Sequence, residues 1–160
     1  MFGQSTLSAG ETAPDFDLQS QKGESVKLSD FRGKKTVVLF FYPKDDTLIC
    51  TAESCAFRDQ YDAFAEAGAE VIGVSADSEG SHEQFAQKHR LPMTLLSDPG
   101  RQTAARYGVK PLLGLLPGRV TFVIDRDGVI RHAFSSQLRA SRHVQEALAV
   151  VKRLEASSRE

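Results

Sequence analysis

Cys50 and Cys55 are the only cysteines in the chain, and both lie in the stretch Tyr42-Pro43-Lys44-Asp45-Asp46-Thr47-Leu48-Ile49-Cys50-Thr51-Ala52-Glu53-Ser54-Cys55. Two thiols this close can cycle between dithiol and disulfide, and a thiolate that meets a hydroperoxide attacks one oxygen and becomes a sulfenic acid. Negative charge then develops on both oxygens, so a nearby guanidinium is the natural stabiliser of the transition state. Thr47, three residues before Cys50, is placed to donate a hydroxyl hydrogen bond toward the same sulfur. Pro43 fixes one backbone dihedral and can shield the site from water.

That chemistry requires a particular framework around it. The apolar run Thr36 to Tyr42 ends at Pro43 and reads as a strand buried on both faces, and a helix-like pattern begins near Cys50. A strand therefore hands over to a helix at Cys50, where unpaired backbone N–H groups and the helix dipole favour a thiolate. Cys55 falls inside the same helix. Residues five apart on an ideal helix are separated by about 7.5 Å of rise and ~140° of rotation, roughly 8.6 Å between Cα atoms. A disulfide requires less than about 7 Å. Oxidation of the pair must unwind the helix start, which predicts a locally weak segment there.

The remaining pattern supplies the rest of an α/β domain. Phe16-Asp17-Leu18 and Val26-Lys27-Leu28 flank Gln21-Lys22-Gly23-Glu24 as an N-terminal hairpin. Phe57, Tyr61 and Phe64 share one helical face closed by Gly68, and Val71 to Val74 reads as a second buried strand. Ser81 with Gln84 three residues on opens a helix to His89 in a capping-box pattern, and Pro92 precedes a short strand, Thr94-Leu95-Leu96. A short helix, Arg101 to Tyr107, ends at Gly108. Strands Val120 to Ile124 and Val129 to Phe134 flank the turn Asp125-Arg126-Asp127-Gly128. Ser141 to Leu154 forms a last amphipathic helix before a frayed polar tail, Glu155 to Glu160. The order describes one domain over 1–160, with a core at about 13–154. Its outline is a mixed β-sheet with helices on both faces, that of a thioredoxin-like fold.

Composition narrows the function classes. With 20 basic and 21 acidic residues the net charge is −1, which gives no argument for nucleic acid or an anionic membrane as partner. No apolar run approaches the roughly 18 residues that span a bilayer. The N-terminus lacks the pattern of a secretory or transit peptide, so the expected location is cytoplasmic. Two cysteines make no disulfide framework, and two buried inert thiols are the bland alternative to a redox pair. Zinc lacks two further ligands at this spacing, and no residue implies a haem, flavin or other cofactor. His82, His89, His132 and His143 show no pairing with the cysteines in sequence and read as surface or helix-face residues. Arg58 reads as a structural ion-pair partner. The segment Arg139 to His143 reads as a solvated helix entry. The leucines of Lys110 to Gly118 read as core cover, or as an apolar patch that receives a reductant.

At motif level, Pro43-x-x-x-Thr47-x-x-Cys50 resembles the peroxiredoxin active-site motif, and Gly118-Arg119-Val120-Thr121-Phe122-Val123-Ile124-Asp125 is similar to that family's second signature. The likeness runs from about Ala13 to Leu154. Phe41 to Thr47, and the cysteine five residues after Cys50, resemble the bacterioferritin-comigratory or peroxiredoxin Q branch. The segment Leu115-Leu116-Pro117-Gly118-Arg119 looks most like plant and cyanobacterial members. The resemblance implies Cys50 as peroxidatic cysteine, Cys55 as resolving cysteine, and Pro43, Thr47 and Arg119 as the supporting site, with Glu53 orienting Arg119. It further implies a monomeric peroxidase for hydrogen peroxide and organic hydroperoxides, recycled by thioredoxin or a similar dithiol. Two alternatives stand beside this reading. One is a one-cysteine enzyme resolved by an external thiol; the other is a non-enzymatic redox sensor.

One position departs from the branch, which usually carries Pro-Gly immediately before the peroxidatic cysteine where this chain has Leu48-Ile49. Glycine admits positive φ and close backbone approach, and isoleucine in practice does not. Two large apolar side chains there predict an altered substrate preference, either by narrowing the mouth or by favouring bulkier, more apolar hydroperoxides. The ratio of rate constants for cumene hydroperoxide and hydrogen peroxide should therefore change in the Leu48→Pro/Ile49→Gly variant. An unchanged ratio would reject a role for this step in substrate choice.

Overall fold

The computed structural model describes residues 6–45, 48–109, 119–135 and 140–158. A seven-stranded mixed sheet runs through the middle in the order β2-β1-β5-β4-β3-β6-β7. Its strands are β1 (Asp17–Ser20), β2 (Ser25–Lys27), β3 (Thr36–Phe41), β4 (Ala69–Ser75), β5 (Thr94–Ser97), β6 (Val120–Ile124) and β7 (Ile130–Ser135). β3, β4 and β5 are parallel, as the intervening helices require, and β1, β2, β6 and β7 add antiparallel edges. This is the α/β arrangement expected from the pattern.

Central β3 is buried along its whole length, which is why its sequence is apolar at nearly every position and does not alternate. One face carries Val37, Leu39 and Phe41 against Ile72, Phe122 and Tyr107. The other carries Val38, Phe40 and Tyr42. Four helices cover that second face: α1 (Leu48–Asp59), α2 (Tyr61–Glu66), α3 (Glu79–His89) and α5 (Ala140–Ser158). The N-terminal segment, a 3-10 turn at Leu28–Phe31 and α4 (Gln102–Arg106) cover the first. Among the described residues no helix is long and apolar enough to cross a membrane.

Several boundaries differ from those read in the sequence. The hairpin pairs Asp17 with Lys27, and Leu28 leaves the strand to enter the 3-10 turn and the core. The single helix expected through Phe57, Tyr61 and Phe64 is two, broken at Gln60. The break lets Phe57 stack on Phe40 at 4.5 Å between ring centroids while Phe64 packs 5.8 Å from Phe57. Ser78 caps α3 in place of Ser81, accepting a hydrogen bond from the Ser81 amide, and the Ser81 hydroxyl turns to Asp45. The last helix continues through Glu155, which pairs with Arg126 at 3.4 Å, to Ser158, so residues expected in a frayed tail are helical.

Gly73, on β4 between β3 and β5, shows how tightly the side chains of neighbouring strands fill the space over the sheet. A Cβ at this position would lie 2.7 Å from Phe40 Cζ and 2.9 Å from Leu95 Cδ2. Gly73→Ala is expected to destabilise the protein by about 1–3 kcal/mol in denaturant unfolding, because neither ring nor leucine can retreat from a filled core.

Candidate functional site

Cys50 is the third residue of α1, shortly beyond the end of β3, and it is fully buried. Tyr42 makes the last ladder contact, donating its amide to the Val74 carbonyl, and half-buried Pro43 then ends pairing because it has no N–H. The antiparallel register that pairs Phe41 with Val120 places Arg119, just ahead of β6, at the same end of the sheet. The two residues, 69 apart in sequence, meet there: Arg119 Nη2 donates to Cys50 Sγ at 3.2 Å. Its Nη1 donates to Glu53 Oε1 at 2.9 Å. Glu53 lies three residues after Cys50, on the same face of α1. Arg119 is only 3 % exposed, and its Nε has no hydrogen-bond partner among the described residues.

Behind Arg119 lies a further layer of buried polar groups. Glu53 Oε2 has no hydrogen bond among the described residues, and His143 Nδ1 of α5 lies 3.3 Å from it. The same Nδ1 is 2.7 Å from Thr121 Oγ1 on β6, and the Phe134 ring covers the imidazole edge-on at 4.7 Å. Burial pushes the Glu53 carboxyl up to about 7, and the adjacent Arg119 only partly opposes that shift. Glu53 therefore titrates near neutrality.

A separate hub holds the chain ahead of Cys50. The Asp45 carboxylate accepts from Tyr42 Oη at 2.6 Å and from Ser81 Oγ at 2.9 Å, and it lies 2.7 Å from His82 Nδ1. Burial, reinforced by Asp45, holds the Tyr42 phenol well above its usual range, so it remains a donor. His82 Nε2 donates to the Leu96 carbonyl at 2.9 Å, and the Asp45 amide donates to Asp77 Oδ2 at 2.8 Å. Asp45, Asp77 and His82 bring possible ligand atoms within 4.8 Å of one another. These atoms already serve one another, Ser75 and Ser81, so the cluster acts as a hydrogen-bond hub fixing the loop to α3 and β5.

Of the residues singled out in the sequence, Cys50, Arg119 and Glu53 come together, and Pro43 stands at the end of β3, the same end of the sheet. Thr47 and the loop 110–118 lie outside the described residues, as do the side chains of Leu48 and Ile49. Cys55 is half-buried on α1 with its thiol free. Arg58 is structural, pairing with Asp59 and donating to the His89 carbonyl at 2.8 Å. Of the histidines read as surface or helix-face residues, two lie on helix faces turned inward rather than at the surface. His82 and His143 are both fully buried, and the helix entry expected to be solvated buries His143. Helical spacing held a clue: His143, Val144, Ala147 and Val151 share the inward stripe of α5.

Comparison with known proteins identifies the family. The profile of the AhpC/TSA family matches residues 9–133. A chloroplastic peroxiredoxin Q of Triticum aestivum is 47 % identical over 149 residues, 92 % of this chain and 68 % of the relative. One of Sedum lineare is 46 % identical over 149 residues, covering 92 % and 80 %. The crystal structure of peroxidoxin BcpB from Mycobacterium tuberculosis superposes with a TM-score of 0.86 at 40 % identity, covering 92 % of this chain and 98 % of that one.

The raised Glu53 pKa has a consequence for stability. A carboxyl that binds its proton more tightly when folded contributes stability fully below its unfolded value near 4.5, and that share is lost as pH rises through about 7. Thermal unfolding of the reduced wild type should show this loss between those limits. In Glu53→Gln, which cannot ionise, the profile should be flatter over the same range.

Proposed function

Because the chain belongs to the AhpC/TSA family and is a thiol-dependent peroxidase, we propose that Cys50 is the residue that attacks the hydroperoxide and that Arg119 is its principal electrostatic partner. The observation that carries this assignment is the single guanidinium donating to Cys50 Sγ and to Glu53 at once. Its second bond fixes its direction, so its charge is aimed before substrate arrives and no reorganisation is needed in the transition state. The first turn of α1 adds unpaired N–H groups around the sulfur. The Cys50 thiolate forms an S–O bond to one peroxide oxygen as the O–O bond breaks. The departing oxygen takes a proton and leaves as water or an alcohol, and Cys50 remains as the sulfenic acid. Thr47 and Pro43 complete the site, the hydroxyl polarising the substrate and the proline limiting water.

Cys55 then attacks the Cys50 sulfur, water leaves, and a thioredoxin-type dithiol reduces the resulting disulfide. Both cysteines lie within one helix, Leu48–Asp59, so the bond requires that turn and a half to open. The hub at Asp45 anchors the chain before this segment and confines the opening to its C-terminal side. Some relatives carry chloroplastic names. We take this enzyme to be a cytoplasmic monomer on its likeness to the bacterioferritin-comigratory branch and its lack of a disulfide framework, and size-exclusion of the reduced protein tests the monomer.

Stopped-flow oxidation of reduced protein tests the assignment. Wild type should react far faster than a free thiol, and Cys50→Ser should not react. Arg119→Lys, which lacks the planar fork that bridges two acceptors, should be slower by about 10²-fold. Cys55→Ser should keep the single-turnover step and lose thioredoxin-linked turnover; retained turnover would point to resolution by an external thiol. On oxidation, amide hydrogen exchange should accelerate across Cys50 to Cys55 and stay slow in β3.

A further inference from the structure

The reaction makes no use of one buried pair, Glu53 Oε2, which lacks a hydrogen bond among the described residues, and His143 Nδ1, which faces it at 3.3 Å from α5. We propose that Glu53 and His143 form a proton store behind Arg119, holding one shared proton while Cys50 is a thiolate and giving it up when that charge is consumed. The inference rests on Cys50 being the peroxide-reactive residue.

Charge balance in the buried site requires such a proton. Arg119 donates at once to two groups that can each be anionic, Cys50 and Glu53. If both ionised while His143 stayed neutral, the buried site would carry a net negative charge, which burial penalises strongly. One proton placed anywhere between Glu53 Oε2 and His143 Nδ1 restores neutrality. Thr121 Oγ1, 2.7 Å from Nδ1, serves as donor or acceptor and so tolerates either placement. Among the described residues, the neighbouring charged groups on α5 and β7 are paired with one another. Phe134 closes the β7 side with its ring, and Arg142 and Glu146 of α5 pair with each other at 3.3 Å, with His132 of β7 beside Glu146 at 3.4 Å. The carboxyl that titrates near neutrality fits a group that must both hold and release a proton.

The cycle balances. Attack converts the thiolate to a neutral sulfenic acid and expels an oxyanion that needs one proton. Arg119 is then balanced by ionised Glu53 alone, so the pair releases its proton as the oxyanion gains one. Reduction of the disulfide later returns Cys50 as a thiol, whose ionisation reloads the pair. Charge balance couples the two events, and His143 is a positioning residue that acts through Glu53.

Two measurements test this. The first is the pH profile of the second-order rate constant for Cys50 oxidation in wild type, His143→Asn and His143→Asn/Glu53→Gln. Asparagine keeps a hydrogen-bonding group toward Thr121 but cannot take the proton, so Glu53 ionises earlier and competes with the thiolate for Arg119. The acid limb should move up by about one pH unit or more, with rates on the limb falling about tenfold. Removing the rival charge in the double variant should bring the limb back to its wild-type position, which repair of packing alone would not do. A limb unmoved in His143→Asn, or not restored in the double variant, overturns the proposal. The second is ¹³C NMR of the Glu53 carboxyl in reduced wild type and Cys50→Ser, and it decides even if the His143 variants do not fold. Its midpoint should fall by about one unit or more when the thiolate is removed, and an equal midpoint overturns the coupling. Wild-type Cys50 reacting no faster than a free thiol would instead defeat the assignment of Cys50, a result separate from either readout.

Discussion

Arg119 keeps its positive charge almost wholly out of water, and the architecture around it can be understood from what that requires. A guanidinium in such a place must have acceptors within hydrogen-bond distance, and α1 provides two from one face, Cys50 and Glu53, each able to carry a negative charge. It must also be held still. The register of β6 against β3 delivers it to the end of the sheet where β3 gives way to α1. The strand, the helix and the residue just ahead of β6 are thus tied through one side chain, and the tie is strongest when Cys50 carries charge.

The surroundings divide into a fixed half and a half able to move. Ahead of Cys50, Tyr42, Asp45, Ser81 and His82 form a buried network in which Asp45 gathers donors from three directions. Such a network is rigid because every partner would be left unsatisfied by a displacement. After Cys50, the chain is an ordinary helix whose backbone hydrogen bonds are local and can be exchanged for water. The helical segment that a Cys50–Cys55 disulfide would require to open thus follows a buried network that holds the chain at the β3 end of the site.

Much of this was legible in the chain. The uniform apolar character of Val37 to Tyr42 identified a central strand, because only a strand covered on both faces has no need to alternate. Cys50 and Pro43 followed from the same boundary, and the turn at Asp125 to Gly128 was recognisable from its residue types. Less was recoverable where a residue's neighbours come from elsewhere. The break at Gln60 reflects the need of Phe57 and Phe64 to reach the same aromatic layer, which helical periodicity cannot express. Ser81 matched a capping box, yet Ser78 took the cap, because Asp45 offered the Ser81 hydroxyl a buried acceptor.

The histidines mark the same division most clearly. Sequence determined the closeness of the two cysteines, the strand-to-helix handover at Cys50, and the geometric bar to a disulfide within an intact helix, since each depends on residues near one another in the chain. The motif likeness pointed to Arg119 beside Cys50, and tertiary structure supplied the bond; tertiary structure alone decided that His82 anchors Asp45 and that His143 faces Glu53 from α5. A charged or titratable group takes its character from what surrounds it once water is removed. Those surroundings are assembled from strands and helices far apart in sequence.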